Sequence, residues 1–283
     1  MRTILSLQSH VAFGHVGNAA AVFPLQRLGF SVIPINTVQF SNHTGYGDWE
    51  GQIFTPSHIN DLFNGLSRRG VFDTVDAVLT GYLGAPELGQ TILDMIETRL
   101  KPGTLWLCDP VMGDVGRGLF VKPGIPEFFK NAALPRADII TPNQFELEHL
   151  SGITIQTRDD VRRACRALHD TGPKTILVTS LMLHDTAPDE IQMMVSHTDG
   201  EAYVVTTPRL PLDPAPNGAG DFTSAIFLAR NLMGDDIKTA LSMTASAVYA
   251  LFEETMKAGT RELALIQAQE RFGSPSVFKA TPL

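Results

Sequence analysis

Short apolar runs alternate with longer segments of helical period along nearly the whole chain, and this alternation constrains the fold more than any other feature. Strands are predicted at Ile4–Gln8, Val32–Asn36, Ala77–Thr80, Leu105–Asp109, Ile139–Thr141 and Ile176–Thr179. Helices are predicted at Asn18–Leu28, Pro56–Arg69, Pro86–Leu100, Ile125–Ala133, Gln144–Leu150, Asp159–Asp170, Asp221–Met233, Ile237–Phe252 and Arg261–Phe272. A strand that is apolar on both faces needs cover on both faces. The pattern therefore implies an α/β fold with a mainly parallel sheet between helical layers. Ile191–His197 and Ala202–Thr206, joined through Asp199-Gly200, read instead as an antiparallel hairpin at one edge of the sheet. No internal repeat or low-complexity tract divides the chain, so residues 1–283 read as one domain.

Composition narrows the function classes. The net charge of −8 argues against nonspecific nucleic-acid binding, which needs clustered Lys and Arg. Cys108 and Cys165 share no Cys-x-x-Cys or Cys/His spacing, so neither a zinc site nor a disulfide framework is expected. Met1-Arg2-Thr3 leads straight into a strand, and no apolar run reaches the length of about 18 residues that suggests a membrane span. The chain reads as cytoplasmic, with neither membrane nor nucleic acid as a partner.

Open α/β sheets bind ligands beyond the C-terminal ends of their strands. Polar or Gly-rich clusters follow five predicted strands: Ser9-His10, Gly81–Gly84, Asp109–Asp114, Thr141–Glu146 and Thr179-Ser180. Asp109, Asp114, Asn143 and Glu146 are oxygen donors of the kind that suits Mg²⁺. From spacing alone, Asn143 and Glu146 read first as the two halves of a helix capping box. Thr37–Gly51 is polar, aromatic and Gly-containing, and reads either as a lid over a small ligand or as a surface connection.

The most informative motif is Asn217-Gly218-Ala219-Gly220-Asp221-Phe222, placed before an apolar helix. A helix start leaves N–H groups unpaired, and these favour an anion. Asp221 at the same place can take a proton from an attacking hydroxyl. The bland alternative is a turn with an acidic residue in the first helical turn. No P-loop, dinucleotide fingerprint, nucleophile elbow or zinc-protease motif is present.

Six segments together resemble the pyridoxal kinase family of the ribokinase-like superfamily: LSLQSHVAFGHVGN at 5–18, INTVQFSNHTGYGDW at 35–49, LTGYLG at 79–84, CDPVMGD at 108–114, TPNQFELE at 141–148 and NGAGDFTS at 217–224. The resemblance implies ATP-dependent phosphorylation of the 5′-hydroxymethyl group of pyridoxal. It implies Asp221 as base, with the Gly218, Ala219 and Gly220 backbone as the anion hole. Ser9, Thr44 and Gly45 would contact the pyridine ring and its substituents, with His43 and Tyr82 packed beside it. Asp109, Thr141, Glu146 and Thr179 would surround ATP, and Thr207-Pro208-Arg209-Leu210 would lie against the nucleotide. Asn143 and Glu146 would act on Mg²⁺ through water. A monovalent cation and a homodimer are common among such kinases. Asn217 stands where many sugar kinases carry Thr, and Thr179 where some relatives carry Lys.

Two other readings share these motifs. A hydroxymethylpyrimidine kinase, or a dual-specificity relative, would use the same Asp221 machinery on another hydroxymethyl heterocycle. A non-catalytic carrier of pyridoxal phosphate would bind without turnover; loss of the base or the glycines would mark it, yet both are present.

Overall fold

The computed structural model describes residues 1–275 and 277–283. Its strands are β1 (Thr3–Phe13), β2 (Ser31–Asn42), β3 (Gly51–Ile53), β4 (Val75–Thr80), β5 (Leu105–Cys108), β6 (Gly113–Asp114), β7 (Gly118–Leu119), β8 (Ile139–Ile140), β9 (Thr175–Leu181), β10 (Glu190–His197), β11 (Ala202–Pro208) and β12 (Thr281–Pro282). Its helices are α1 (Asn18–Arg27), α2 (Pro56–Ser67), α3 (Pro86–Arg99), α4 (Ile125–Phe128), α5 (Gln144–Ser151), α6 (Arg158–His169), α7 (Ala219–Met233), α8 (Ile237–Ala258) and α9 (Leu265–Gly273).

Ten strands form one sheet in the order β12-β11-β10-β9-β8-β5-β4-β1-β2-β3, while β6 and β7 form a separate small hairpin. The centre, from β9 to β2, is parallel. Antiparallel strands close both edges: β10, β11 and β12 on one side and β3 on the other. The predicted hairpin is present, but β12 pairs outside it through Tyr203 and Val204. Consecutive strand residues serve opposite faces. Leu5, Val78, Trp106, Ile140, Ile176 and Met194 pack into the layer that holds α2 to α6. Ile4, Ala77, Leu107, Ile139, Leu177 and Val195 pack into the layer of α1, α7 and α8. This is why the strands read as continuous apolar runs rather than alternating ones.

Two strands run further than their apolar cores suggest. β1 continues past Gln8 to Phe13 through an irregularity between Gln8 and His10, and β2 continues past Asn36 to Asn42. Beyond Leu7 the register of β1 with β4 ends, so β1 continues with β2 alone. Polar residues are tolerated there because no helix covers both faces. The Thr37–Gly51 segment is therefore neither a free lid nor a plain connection. Thr37–Asn42 is strand, Thr44–Tyr46 is a single 3₁₀ turn, and β3 folds back antiparallel on Val38–Phe40. At the other end of the chain, α8 extends to Ala258 and Gly259 ends it in the left-handed region at φ 62°. Arg261–Ala264 is a loop rather than helix, and α9 starts at Leu265.

Candidate active site

The site is built outward from the start of α7. Gly218 is the N-cap residue, at φ 87°. A Cβ on Gly218 would stand 1.8 Å from the His15 carbonyl oxygen, so the turn that follows β1 and the start of α7 meet with no room for a side chain. The first intrahelical bond runs from Phe222 N–H to the Gly218 carbonyl at 3.0 Å. The N–H groups of Ala219 and Gly220 precede it and remain available to an anion, whereas the Asp221 N–H turns to its own carboxylate. Gly220 itself has no positive φ, and a Cβ there would meet only Asp109 Oδ2, at 3.8 Å. The conformational need for glycine belongs to Gly218, whereas Gly220 keeps the space in front of Asp109 open. Burial lifts the Asp221 carboxyl to about 6, against the opposing pull of the Gly17 and Asp221 backbone N–H groups.

On one side of α7 stands a cluster of buried carboxylates. Asp109, just past β5, accepts a hydrogen bond from Ser224 Oγ at 3.0 Å, and Ser224 in turn pairs with Thr141 Oγ1 at 2.8 Å. Burial first, then the charges of Glu146 and Asp221, push Asp109 well above the ordinary carboxylate range. Asn143 and Glu146 form the capping box of α5: Asn143 Oδ1 accepts from Glu146 N–H and Glu146 Oε2 accepts from Asn143 N–H, each at 2.9 Å. The box also has a tertiary role. Glu146 Oε1 accepts from Met112 N–H at 2.9 Å, and Asn143 Nδ2 donates to the Gly113 carbonyl at 2.8 Å. Burial raises Glu146 to about 8 although the Asn143, Met112 and Gly113 N–H groups pull it down. Among the described residues no group of three or more His, Cys, Asp or Glu side chains converges on one point as a ready metal cage. Crowded, oxygen-only donors that repel one another fit a hard divalent cation completed by water and phosphate.

On the other side lies the β1–β2 extension. Ser9 and His43 are buried there, with Thr44 and Gly45 at the 3₁₀ turn that follows. Thr37 Oγ1 donates to the Tyr82 carbonyl at 2.9 Å and ties the segment after β4 to β2. A cavity of about 630 Å³ joins all three groups. It is lined by Ser9, His43, Thr44, Gly45 and Tyr82, by Asp109, Thr141, Asn143, Glu146 and Thr179, and by Gly218 to Asp221. The volume falls in the range of small-molecule sites.

Known proteins are similar to this chain in sequence and fold. Residues 66–265 match the family model for phosphomethylpyrimidine kinase. A protein from Rubrobacter xylanophilus named pyridoxal kinase PdxY is 49% identical over 277 residues, covering 97% of this chain and 94% of that protein. A second pyridoxal kinase PdxY, from Granulibacter bethesdensis, is 48% identical over 96% of each chain. Pyridoxal kinase from Leishmania donovani, solved in complex with ADP and ginkgotoxin, superposes with a TM-score of 0.92 at 30% identity, covering 100% of both chains.

The chain belongs to the pyridoxal kinase family. The expected ribokinase-like fold is present, with its mostly parallel sheet and antiparallel edge. One stretch assigned from the pyridoxal kinase resemblance, Thr207–Leu210, is not among the residues that line the cavity. Thr207 and Pro208 end β11, and Arg209 N–H bonds to the Asp189 carbonyl at 2.7 Å. Ile191, the partner of Thr207 in the ladder, lines the cavity in their place. The sequence assigns no site role to several lining residues, among them Val11, Phe40, Arg117, Ser180, Asn217 and Arg261. Ser180 is the one non-glycine residue with positive φ among the described residues, at 55°. It lies where the β9–β10 register shifts. Arg261 and its neighbour Glu262 carry no local signal, because the helical pattern of the sequence runs through them. A loop holds them instead: Thr255 Oγ1 accepts the Ala264 N–H at 3.1 Å and Thr260 Oγ1 the Glu262 N–H at 3.1 Å.

Proposed function

We propose that this chain transfers the γ-phosphoryl group of ATP to the 5′-hydroxymethyl group of pyridoxal, giving pyridoxal 5′-phosphate and ADP. One observation carries the reading: a carboxylate and the unpaired N–H groups of a 15-residue helix share the wall of one cavity, between a carboxylate cluster and a slot of small polar and aromatic side chains. Asp221 takes the proton of the substrate hydroxyl as its oxygen attacks the γ-phosphorus. The bond to the β-bridging oxygen breaks, and ADP leaves. The Ala219 and Gly220 N–H groups and the positive end of α7 receive the charge on the migrating phosphoryl. Ser9, Thr44 and Gly45 hold the heterocycle, with His43 and Tyr82 beside it. Asp109, Thr141, Glu146 and Thr179 serve the nucleotide side.

Mg²⁺ would be held through water by Asn143 and Glu146, and it supplies positive charge that neutralises the nucleotide phosphates. A monovalent cation is a further expectation of the family. One sheet drawing strands from Thr3 to Pro282 supports residues 1–283 as a single kinase domain. No helix among the described residues is long and apolar enough to cross a membrane, and a cytoplasmic location is part of the proposed reading. Exposed Phe13 and Trp49 near the end of the β1–β2 extension support a homodimer.

The phosphomethylpyrimidine kinase description of the matching family model favours a second reading, in which a hydroxymethylpyrimidine is the acceptor. The test is ATP- and Mg²⁺-dependent phosphorylation of pyridoxal, pyridoxine, pyridoxamine and hydroxymethylpyrimidine side by side. Preference for pyridoxal is expected, with Asp221→Asn lowering kcat by about 10²- to 10⁴-fold while the fold persists. Near-normal turnover in that variant would remove Asp221 from the base role. Preference for the pyrimidine would favour the second reading. Tight binding of pyridoxal phosphate without turnover would mark a carrier.

A further inference from the structure

Beneath the substrate slot lies a buried polar cluster that the transfer mechanism does not use. His43 is only 5% exposed, and its Nε2 lies 2.9 Å from Glu262 Oε1. Glu262 Oε1 also accepts the Tyr46 hydroxyl at 2.7 Å, and Oε2 accepts the His15 N–H at 3.1 Å. Tyr46 stacks on His43 with ring centroids 4.5 Å apart, and the Arg261 guanidinium lies 4.0 Å over the outer ring of that stack. Arg261 also donates to the Gly45 carbonyl. The other ring nitrogen of His43, Nδ1, is buried and has no hydrogen-bond partner in the protein. It faces the point where a Cβ on Gly45 would stand, 3.0 Å away, and both His43 and Gly45 line the cavity.

A carboxylate can only accept. Burial opposes the charge on Glu262, but the Tyr46, His43 and His15 groups that surround it together hold it below its ordinary value, so it is ionised at neutral pH. His43 Nε2 must then carry a proton, and in the neutral ring Nδ1 is left as a bare acceptor. A buried acceptor without a partner is costly unless a ligand supplies a donor.

We propose that Glu262 is a positioning residue that fixes the Nε2–H tautomer of His43, so that His43 Nδ1 reads a hydrogen-bond donor on the ring of the substrate. The proposal rests on the function proposed above and refines it. It makes His43 a specificity-determining contact rather than an apolar neighbour of the ring. Pyridoxal offers two such donors, its ring hydroxyl and its pyridinium N–H. A heterocycle that presented only an acceptor at that place would face two lone pairs and be rejected. Because Glu262 touches His43 and does not itself line the cavity, its effect on substrate passes through the imidazole.

Imidazole-¹⁵N-labelled full-length protein tests the tautomer directly. A pyrrole-type Nε2 and a pyridine-type Nδ1 are expected for His43 in the free enzyme. Glu262→Gln should mix the two tautomers and raise KM for pyridoxal about tenfold, leaving KM for ATP within about twofold. Tyr46→Phe, which removes a different donor from Glu262, should leave the tautomer unchanged. Pyridoxal analogues lacking the ring hydroxyl, or carrying carbon in place of the ring nitrogen, identify the donor: the correct deletion makes wild type and Glu262→Gln equal. A proton on Nδ1 in the wild type overturns the proposal. So does an equal rise of both KM values, or a full wild-type advantage on both analogues. Should Glu262→Gln not fold, the wild-type tautomer and the analogue series on the wild type still decide. Failure of the wild type to phosphorylate pyridoxal would sink the function reading separately, since the tautomer is observed without turnover.

Discussion

At the residue scale, the site is a set of carboxylates whose charge burial opposes. Asp221, lifted to about 6, is mostly ionised at neutral pH yet basic enough to take a proton. With pyridoxal as substrate, log kcat/KM should rise with unit slope up to about pH 6 and then flatten, because protonation would silence the proposed base on the acid side. An acid limb that survives in Asp221→Asn would assign the titration to another group. Glu146 shifts further, from 4.5 to about 8, and affects stability as well. A carboxyl that binds its proton more tightly folded than unfolded contributes stability below the unfolded value and loses it as pH rises through the folded one. Urea denaturation of the free protein should therefore show stability falling between about pH 5 and 8, with a shallower fall in Glu146→Gln. An identical slope in both proteins would place the dependence elsewhere. Asp109, Asn143 and Glu146 were legible in the sequence as polar residues at strand ends. Their burial was not, because it arises from Met112, Gly113, Ser224 and Thr141, which come from other segments. The two cysteines show the converse: both are buried and free, and burial pushes each thiol up to about 12, as expected for structural side chains.

At the scale of elements, the start of α7 is the decisive unit. Its two glycines look alike in the sequence and differ in the fold. Gly218→Ala places a Cβ against the His15 carbonyl at positive φ, so a loss of at least about 2 kcal/mol in denaturation is expected. Gly220→Ala lies in the first helical turn, where alanine is favoured by up to about 1 kcal/mol, so folding should be unharmed. Its methyl group projects toward Asp109 in the space proposed for the phosphoryl group, and kcat should fall about tenfold or more. Equal stability losses in the two variants would refute the distinction. The capping box of α5 was readable from spacing. That the same side chains also hold the Met112–Gly113 backbone was not, since a local pattern carries no record of a segment about 30 residues away.

At the scale of the whole molecule, the β1–β2 extension stands beyond the sheet with Phe13 60% and Trp49 46% exposed. Aromatic side chains left open near a strand extension suit a partner surface. Sedimentation should show a dimer for the wild type and a shift toward monomer for the Phe13→Ser, Trp49→Ser double variant; a monomeric wild type would end that reading. The layered α/β architecture and the glycine turn at the start of α7 could be read along the chain, because strand and helix periods are local properties and such a turn needs only a few residues before a helix. The lengths of β1 and β2 and the inward turn of Arg261 and Glu262 could not. Each depends on which distant segment arrives as a neighbour. The pairing of His43 with Glu262, 219 residues apart, exists only once the chain has closed around its sheet, and there burial makes each lone pair and proton count.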